Sequence, residues 1–190
     1  QIEHDGSNSY IYNLTNDLLI QCDNNVEITA KSGGTKRFRF DSDGLKFGTD
    51  TAAANALDDY EEGEHTITTN SNLTASSSYN KADYTKVGNM VTVSMLLYVS
   101  GVSGSDIVTV SLPFANRSES VPRMCNTVGS VMFKGVDTGD NGLIPYLDNG
   151  SSVLRFYRLY DNNNSFYVLN NSHLSSGAEM YITITYKTAT

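Results

Sequence analysis

The chain has 190 residues, of which 39% are hydrophobic and 18% are charged, and its formal net charge at pH 7 is -8. This acidic balance argues against nucleic-acid binding, which requires a basic surface. The 12 Tyr and 7 Phe residues also exclude a disordered acidic chain, because they supply material for a core. The chain starts with Gln1, so we expect a fragment or a processed piece of a longer protein.

Residues 1–49 read as a series of very short strands. The strand candidates are "SYIYN", "DLLIQ", "NVEIT", "KRFRF" and "GLKF", and clusters of Gly, Asn, Asp and Ser separate them. A segment of this length buries little apolar surface alone. We therefore expect identical chains to cover it, as an intertwined trimeric shaft wound about a three-fold axis.

Residues 50–63 form a junction with helical character. Asp50 or Thr51 could cap a short helix, the alanines that follow favour helix, and Gly63 could end it. The acidic residues fall near the C-terminal end, where the helix dipole disfavours them, so we expect one or two turns and then an extended exit. The candidates for contacts at the junction or between subunits are Leu57, Tyr60, Phe38 and Phe40.

Residues 64–190 alternate between apolar and polar residues over longer strands. The clearest cases are "NMVTVSMLLYVS", "DIVTVSLPF", "SSVLRFYRLY" and "AEMYITITYK". Eight to ten strands in about 125 residues is typical of a β-sandwich, here jelly-roll-like. Turn-rich segments at "VSGVSGSD", "VDTGDNG", "LDNGSS" and "YDNNNS" predict hairpins. The fold class predicted for the whole chain is therefore all-β.

Three stretches of the chain resemble structural proteins of tailed bacteriophages. "IEHDGSNSYIYNLTNDLLIQ" resembles a repeat unit of tail fibres and other virion proteins, especially those of phages that infect marine cyanobacteria and related bacteria. "FDSDGLKFGTDTAAANALDDYEEG" is similar to the junction before the last domain of such fibres, and "YNKADYTKVGNMVTVSMLLYVSG" with "SLPF" and "GSV" is similar to the closing β-domain.

This resemblance implies a homotrimeric fibre or appendage of the virion, made in the host cytoplasm. The distal β-sandwich would touch a host cell-surface glycan or an outer-membrane protein, and other virion proteins would contact the fibre on its N-terminal side. The resemblance implies no cofactor.

The stretch "RFYRLYDNNNSFY", residues 155–167, is the best candidate for a binding surface, and "IPYLDNGSS", residues 144–152, is its neighbour. Aromatic rings offer flat faces to sugars or protein anchors, while Arg, Asp and Asn give directional hydrogen bonds. The same residue types also build subunit interfaces, so both interpretations stay open. The candidate residues are Tyr146, Asp148, Asn149, Arg155, Tyr157, Arg158, Tyr160, Asp161, Asn162 and Asn163.

The acidic stretch around residues 58–64 could suggest a glycosidase, which places two carboxylates across a sugar cleft. Adjacent carboxylates on a polar segment are common, so we interpret this stretch as a solvated joint and predict no catalytic residue. His65 has no second histidine at ligand spacing, and "DTGDNG" lacks the closing Glu of a calcium loop, so we predict no metal site. Cys22 and Cys125 are expected to be free thiols.

Three functions follow from these observations. The first is attachment to the host cell surface without catalysis. The second is a purely structural fibre or decoration protein of the virion, and the third is a virion-associated polysaccharide depolymerase.

Overall fold

A computed structural model describes residues 2–4, 6, 9–11, 26–29, 36–42, 44–49, 57, 59–121, 124–139, 141–161 and 165–189. Within these ranges the regular structure is antiparallel β-sheet plus one 3₁₀ turn at Asn171–His173. The prediction of an all-β chain is confirmed for this part of the protein. The chain divides into two compact units, Gln1–Asp58 and Asp59–Thr190.

The N-terminal unit contains two small sheets in its described ranges. Strand β1 (Ile2–His4) pairs with β2 (Ser9–Ile11), and the second sheet has the order β3-β4-β5. The strand predictions at "SYIYN", "NVEIT", "KRFRF" and "GLKF" are confirmed, whereas "DLLIQ" lies outside the described residues. The bounds of the second sheet are β3 Val26–Thr29, β4 Lys36–Asp41 and β5 Gly44–Phe47.

The predicted junction helix falls mostly on residues 50–56 and 58, which lie outside the described residues. Leu57 pairs with Leu45 in an antiparallel bridge at the edge of β5. From Tyr60 onward the backbone is a β-strand, so the described end of the junction is extended.

The C-terminal unit contains eleven strands among its described residues. The six-stranded sheet has the order β12-β16-β9-β8-β6, with β7 beside β9, and the five-stranded sheet has the order β10-β14-β13-β11, with β15 beside β14. The bounds are β6 Tyr60–Thr66, β7 Leu73–Ala75, β8 Lys81–Val87, β9 Met90–Val102, β10 Thr109–Ser111, β11 Thr127–Val128, β12 Ser130–Val136, β13 Leu143–Leu147, β14 Val153–Arg158, β15 Tyr167–Val168 and β16 Leu174–Lys187.

One hydrophobic core is built from both sheets of this unit. Alternate residues of a strand point to opposite faces, and each fully buried Val, Leu, Ile or Phe contributes roughly 1.5–3 kcal/mol to the free energy of unfolding. The faces predicted for β9, β10 and β16 are buried, as expected from their alternation. The core residues of these three strands and of their flanks are Val91, Val93, Met95, Leu97, Val99, Val108, Val110, Leu112, Met180, Ile182, Ile184 and Tyr186.

The two sheets are joined along both lateral edges. On one side the chain passes from β11, which pairs with β13, through Gly129 into β12, which pairs with β16. On the other side the backbone after β6 bonds to β10, with Ser111 N donating to Thr68 O at 2.9 Å. Joining the edges reduces the number of unpaired backbone groups that could recruit a foreign strand.

Two of the four predicted hairpins are wrong. "VSGVSGSD" begins inside β9 of the six-stranded sheet and leads towards β10 in the five-stranded sheet. "VDTGDNG" likewise connects β12 to β13 across the sheets. The hairpins predicted at "LDNGSS" and "YDNNNS" are confirmed by the antiparallel pairs β13–β14 and β14–β15. Turn residues indicate a reversal of the chain, but only long-range pairing decides which sheet the next strand joins.

Candidate functional site

The outer face of the five-stranded sheet carries a groove of about 510 Å³. We call it the aromatic groove. It lies on the side of the sheet opposite to the core, because Tyr146 and Tyr157 alternate with the buried Leu147, Leu154 and Phe156. The lining residues are Val128, Ile144, Tyr146, Tyr157, Leu159, Ser165 and Phe166.

Strand register brings the aromatic rings of the groove together. Ile144 lies opposite Tyr157 across the β13–β14 pair, and Val128 lies opposite Tyr146 across the β11–β13 pair. The ring centroids of Tyr146 and Tyr157 are 5.3 Å apart at 90°, and those of Tyr157 and Phe166 are 6.1 Å apart at 67°. Such edge-to-face contacts hold each ring at a fixed angle to its neighbour. Phe166 is 78% exposed, whereas Tyr146 and Tyr157 are partly buried, so Phe166 is the ring that this cluster presents most fully to solvent.

A polar rim borders the aromatic groove. The Nδ2 of Asn126 donates to the hydroxyl of Tyr146, and Nη1 of Arg155 lies 3.0 Å from Oδ2 of Asp148. Arg155 is directly opposite Tyr146 in the strand pair, so the ion pair lies next to the rings. These contacts fix the rim before any ligand arrives, which lowers the entropy cost of binding.

Asn149 holds the loop that carries this rim. Its backbone N–H donates to Oδ1 of Asn126 at 3.0 Å, and its side-chain amide exchanges two hydrogen bonds with the backbone of Glu119. Asn149 was a candidate for receptor contact, but in the structure its side-chain hydrogen bonds hold the loop in place.

The predicted binding residues do not all lie on one surface. Tyr146 and Tyr157 line the aromatic groove, and Asp148 and Arg155 form its rim. Asp161 is exposed in the turn after β14, and Asn162 and Asn163 lie outside the described residues.

Arg158 and Tyr160 belong to a second cluster, behind the sheet. Arg158 shares the inner face of β14 with Leu154 and Phe156 and is buried. Its guanidinium lies 5.1 Å from the ring centre of Tyr160, and Nη1 donates to the backbone oxygen of Asp137 at 3.5 Å. Tyr160 in turn contacts Tyr167 edge-on, with the two ring centroids 5.1 Å apart. This cluster packs the end of the sheet rather than extending the groove.

Sequence reasoning missed part of the aromatic groove. Val128 and Asn126 come from a different strand and loop, and nothing local to them indicates that they adjoin Tyr146. Phe166 and Leu159 lie inside the stretch "RFYRLYDNNNSFY", and Ile144 lies inside "IPYLDNGSS", but none of the three was singled out. A search for apolar residues on the same face as Tyr157 would have found Ile144, given the correct strand pairing.

The acidic segment is organised along strand β6 and its neighbour β8. Asp59 forms an ion pair with Lys86, the Tyr84 hydroxyl donates to Oε1 of Glu61 at 2.6 Å, and the Tyr60 hydroxyl donates to Oε2 of Glu62 at 2.9 Å. The pKa of Tyr60 is raised mainly by its hydrogen bond to Glu62, and the pKa of Tyr84 mainly by its hydrogen bond to Glu61. Adjacent residues of a strand face opposite sides, so Glu61 and Glu62 do not converge on one cleft. That this stretch is a joint stays a prediction.

His65 links the two sheets of the C-terminal unit. Its Nε2 lies 2.9 Å from Oγ of Ser111, which also accepts a hydrogen bond from the backbone N–H of Thr68 at 2.8 Å. Burial, followed by the nearby charge of Lys81, lowers the pKa of His65 and favours the neutral ring. His65 therefore serves as a hydrogen-bonding residue at the edge of the fold.

The sheet β3-β4-β5 has one apolar face and one charged face. Phe38 pairs across the sheet with Phe47, and Phe40 pairs with Leu45, so these side chains share a face. Phe38 and Phe47 contact each other edge-on, with their ring centroids 5.9 Å apart, and Phe40 is 49% exposed. On the other face Lys46 is fully buried and its Nζ lies 3.1 Å from Oδ2 of Asp41, which also pairs with Arg39.

Of the remaining candidates for junction or subunit contacts, Leu57 and Tyr60 are both exposed. Leu57 lies beside Leu45 at the sheet edge and so extends the apolar face. Tyr60 starts strand β6 in the other unit.

In the part of the chain that the structure describes, no three His, Cys, Asp or Glu side chains are grouped so that they could hold a metal ion. The same part contains no helix long and apolar enough to cross a membrane. Cys125 is a free, partly buried thiol, and Cys22 lies outside the described residues.

Comparisons of the chain with protein-family models, with curated proteins and with solved structures found no match.

Proposed function

We propose that this chain is the distal part of a bacteriophage tail fibre or related virion appendage, and that it attaches the particle to the host cell surface as a homotrimer. In this proposal the C-terminal unit is a β-sandwich head of jelly-roll type. The N-terminal unit is a piece of an intertwined trimeric shaft. The resemblance of three stretches of the sequence to phage fibre proteins suggests this assignment.

The aromatic groove is the observation that carries the binding role. Tyr157 contacts the rings of both Tyr146 and Phe166 on the outer face of a sheet whose inner face is packed in the core. Exposed aromatic clusters of this kind are uncommon on surfaces without a partner, and Tyr is enriched where proteins bind other molecules. The hydrogen-bonded rim and the sheet beneath make the surface rigid, as a recognition site requires.

The apolar face of the β3-β4-β5 sheet supports the homotrimer. A three-stranded sheet needs one hydrophobic face covered to be stable. Here Phe38, Phe40 and Phe47 are exposed, while the charged Lys46 on the opposite face is buried. Copies of the same chain are the covering partner that a fibre would supply, because each copy brings an identical apolar face.

A trimer would also multiply weak binding. Three identical grooves on one rigid particle raise the effective concentration of each groove once the first has bound. Attachment could then be strong even where a single groove binds only weakly. Glu61 and Glu62 point to opposite faces of β6, so these two carboxylates do not form the converging pair that a depolymerase requires.

Cell attachment tests this proposal. The fluorescently labelled chain would be mixed with a panel of marine cyanobacteria and related bacteria, and bound protein would be counted by flow cytometry. We expect binding to a subset of strains, and at least a tenfold loss for the double variant Tyr157→Ala with Phe166→Ala, since a loss of about 1.4 kcal/mol is enough for that factor.

The matched control is Tyr79→Ala, which removes an exposed tyrosine away from the five-stranded sheet. The ring centroid of Tyr79 lies 5.5 Å from that of Tyr98. Circular dichroism would establish that each variant is folded. Equal binding by the double variant and the wild type, or no binding to any strain, would contradict the proposal.

A further inference from the structure

The described residues that line the aromatic groove carry no charge, although the chain has a formal net charge of -8. Its lining consists of aliphatic and aromatic side chains and one serine. A ligand that carried many negative charges would be repelled by the chain as a whole. It would also meet no cation among the described lining residues to offset the loss of its hydration.

Among the described residues, the cation that borders the aromatic rings is paired with a carboxylate. Arg155 borders Tyr146, but its guanidinium lies 3.0 Å from the carboxylate of Asp148. The pair carries no net charge, so it offers neither an acidic nor a basic ligand an unbalanced charge to bind. The rim therefore favours a ligand without charge that can hydrogen-bond to both partners while the pair stays intact.

The size and shape of the groove fit a small, ring-shaped ligand. A volume of about 510 Å³ lies within the range of small-molecule sites. A pyranose ring has one face of C–H groups that packs on an aromatic ring, and hydroxyls around its edge that require hydrogen bonds. The C–H face can pack on the exposed ring of Phe166, next to Tyr157. The hydroxyls can bond to the polar rim, which is formed by Asp148, Arg155 and Asn126.

We propose that the aromatic groove binds a neutral saccharide, with a pyranose ring stacked on Phe166 beside Tyr157 and its hydroxyls facing the Arg155–Asp148 pair. This inference rests on the proposed attachment function and gives it a ligand class. It excludes acidic polysaccharides and surface proteins as the ligand of this groove.

The first test is an array of immobilised oligosaccharides probed with the labelled full chain. Half of the oligosaccharides would end in neutral sugars such as glucose, galactose, mannose, rhamnose and N-acetylglucosamine. The other half would carry uronic acids, sialic acid or sulfate groups. We expect binding to at least one neutral oligosaccharide and a loss of at least tenfold for Tyr157→Ala with Phe166→Ala, but not for Tyr79→Ala. The affinity should change less than twofold between about 0.05 and 0.5 M NaCl, because no net charge is neutralised on binding.

The second test uses the cells that the chain binds. Periodate, which cleaves the vicinal diols of sugars, should abolish attachment, whereas protease treatment should leave it intact. Binding confined to acidic oligosaccharides, or attachment that protease abolishes and periodate does not, would overturn the inference while the attachment function stands. Failure to bind any cell would overturn the attachment function itself, and this inference with it.

Discussion

Tyr186 illustrates how a single polar atom is accommodated in the core. Its side chain is 2% exposed, and its hydroxyl donates a hydrogen bond to the backbone oxygen of Phe114 at 3.0 Å. Burial raises the pKa of Tyr186 to about 12. The unfolded chain would ionise this group near its ordinary pKa of 10. Its contribution to stability is therefore complete below pH 10 and is lost as the pH rises towards 12.

Substitution of Tyr186 by Phe isolates this effect. The two proteins would be titrated by absorbance at the phenolate band, and the Tyr186→Phe curve subtracted from that of the wild type. The difference should equal the absorbance of one tyrosine, with a midpoint about two pH units above that of a free tyrosine. The variant should also lose about 1 kcal/mol of unfolding free energy at neutral pH, because the oxygen of Phe114 loses its donor. A difference titration with a midpoint near pH 10 would show that Tyr186 is not buried as described.

Strand alternation alone could not identify every functional side chain. In "VLRFYR" the sequence assigns Arg155 and Tyr157 to one face and Leu154, Phe156 and Arg158 to the other. Both faces mix aromatic and basic residues, so the candidate list included Arg158 as well as Arg155. Arg158 lies on the buried side because that face meets the core, and the aliphatic part of its side chain and the ring of Tyr160 accommodate it.

At the scale of elements, Gly129 is the point where one strand changes sheets. It lies between β11 and β12, and its backbone N–H donates to the oxygen of Pro145 at 3.0 Å. A Cβ atom at this position would be 2.6 Å from the backbone oxygen of Thr183 and 3.1 Å from Cβ of Ile184. The close approach of the two backbones explains why glycine occupies this corner.

We expect Gly129→Ala to lower the free energy of unfolding by roughly 1–3 kcal/mol, the usual range for overpacking a close contact. Gly101→Ala in β9 is the control for the substitution itself, because its added Cβ would meet only Thr74, at 3.8 Å. Urea denaturation followed by circular dichroism compares the two. Equal stability of both variants would contradict the role assigned to Gly129.

The sequence predicted individual strands better than their arrangement. Regular alternation identified the buried faces of β9 and β16, because both strands are long and each has one face in the core. The sheet change at Gly129 and the bond between His65 and Ser111 depend on residues that are far apart in sequence. The sequence predicted only part of the aromatic groove, because Val128 adjoins Tyr146 through the β11–β13 pair, which also joins residues that are far apart in sequence.

At the scale of the whole molecule, the central question is what covers the apolar face of the β3-β4-β5 sheet. Phe38, Phe40, Phe47 and Leu57 are exposed in the single chain. An exposed apolar face of this kind favours association, and closed symmetry limits that association to a defined number of copies. The proposed trimer accounts for these exposed side chains and for the three-fold display of the aromatic groove.

The mass of the chain in solution, measured by light scattering during gel filtration, tests this account most directly. We predict a mass about three times 20.8 kDa, and a smaller mass for the variant in which Phe38 and Phe40 are both replaced by Ser. A wild-type chain that remains at 20.8 kDa across the accessible concentrations would contradict the trimer. It would also contradict the assignment of the apolar face to contacts between copies.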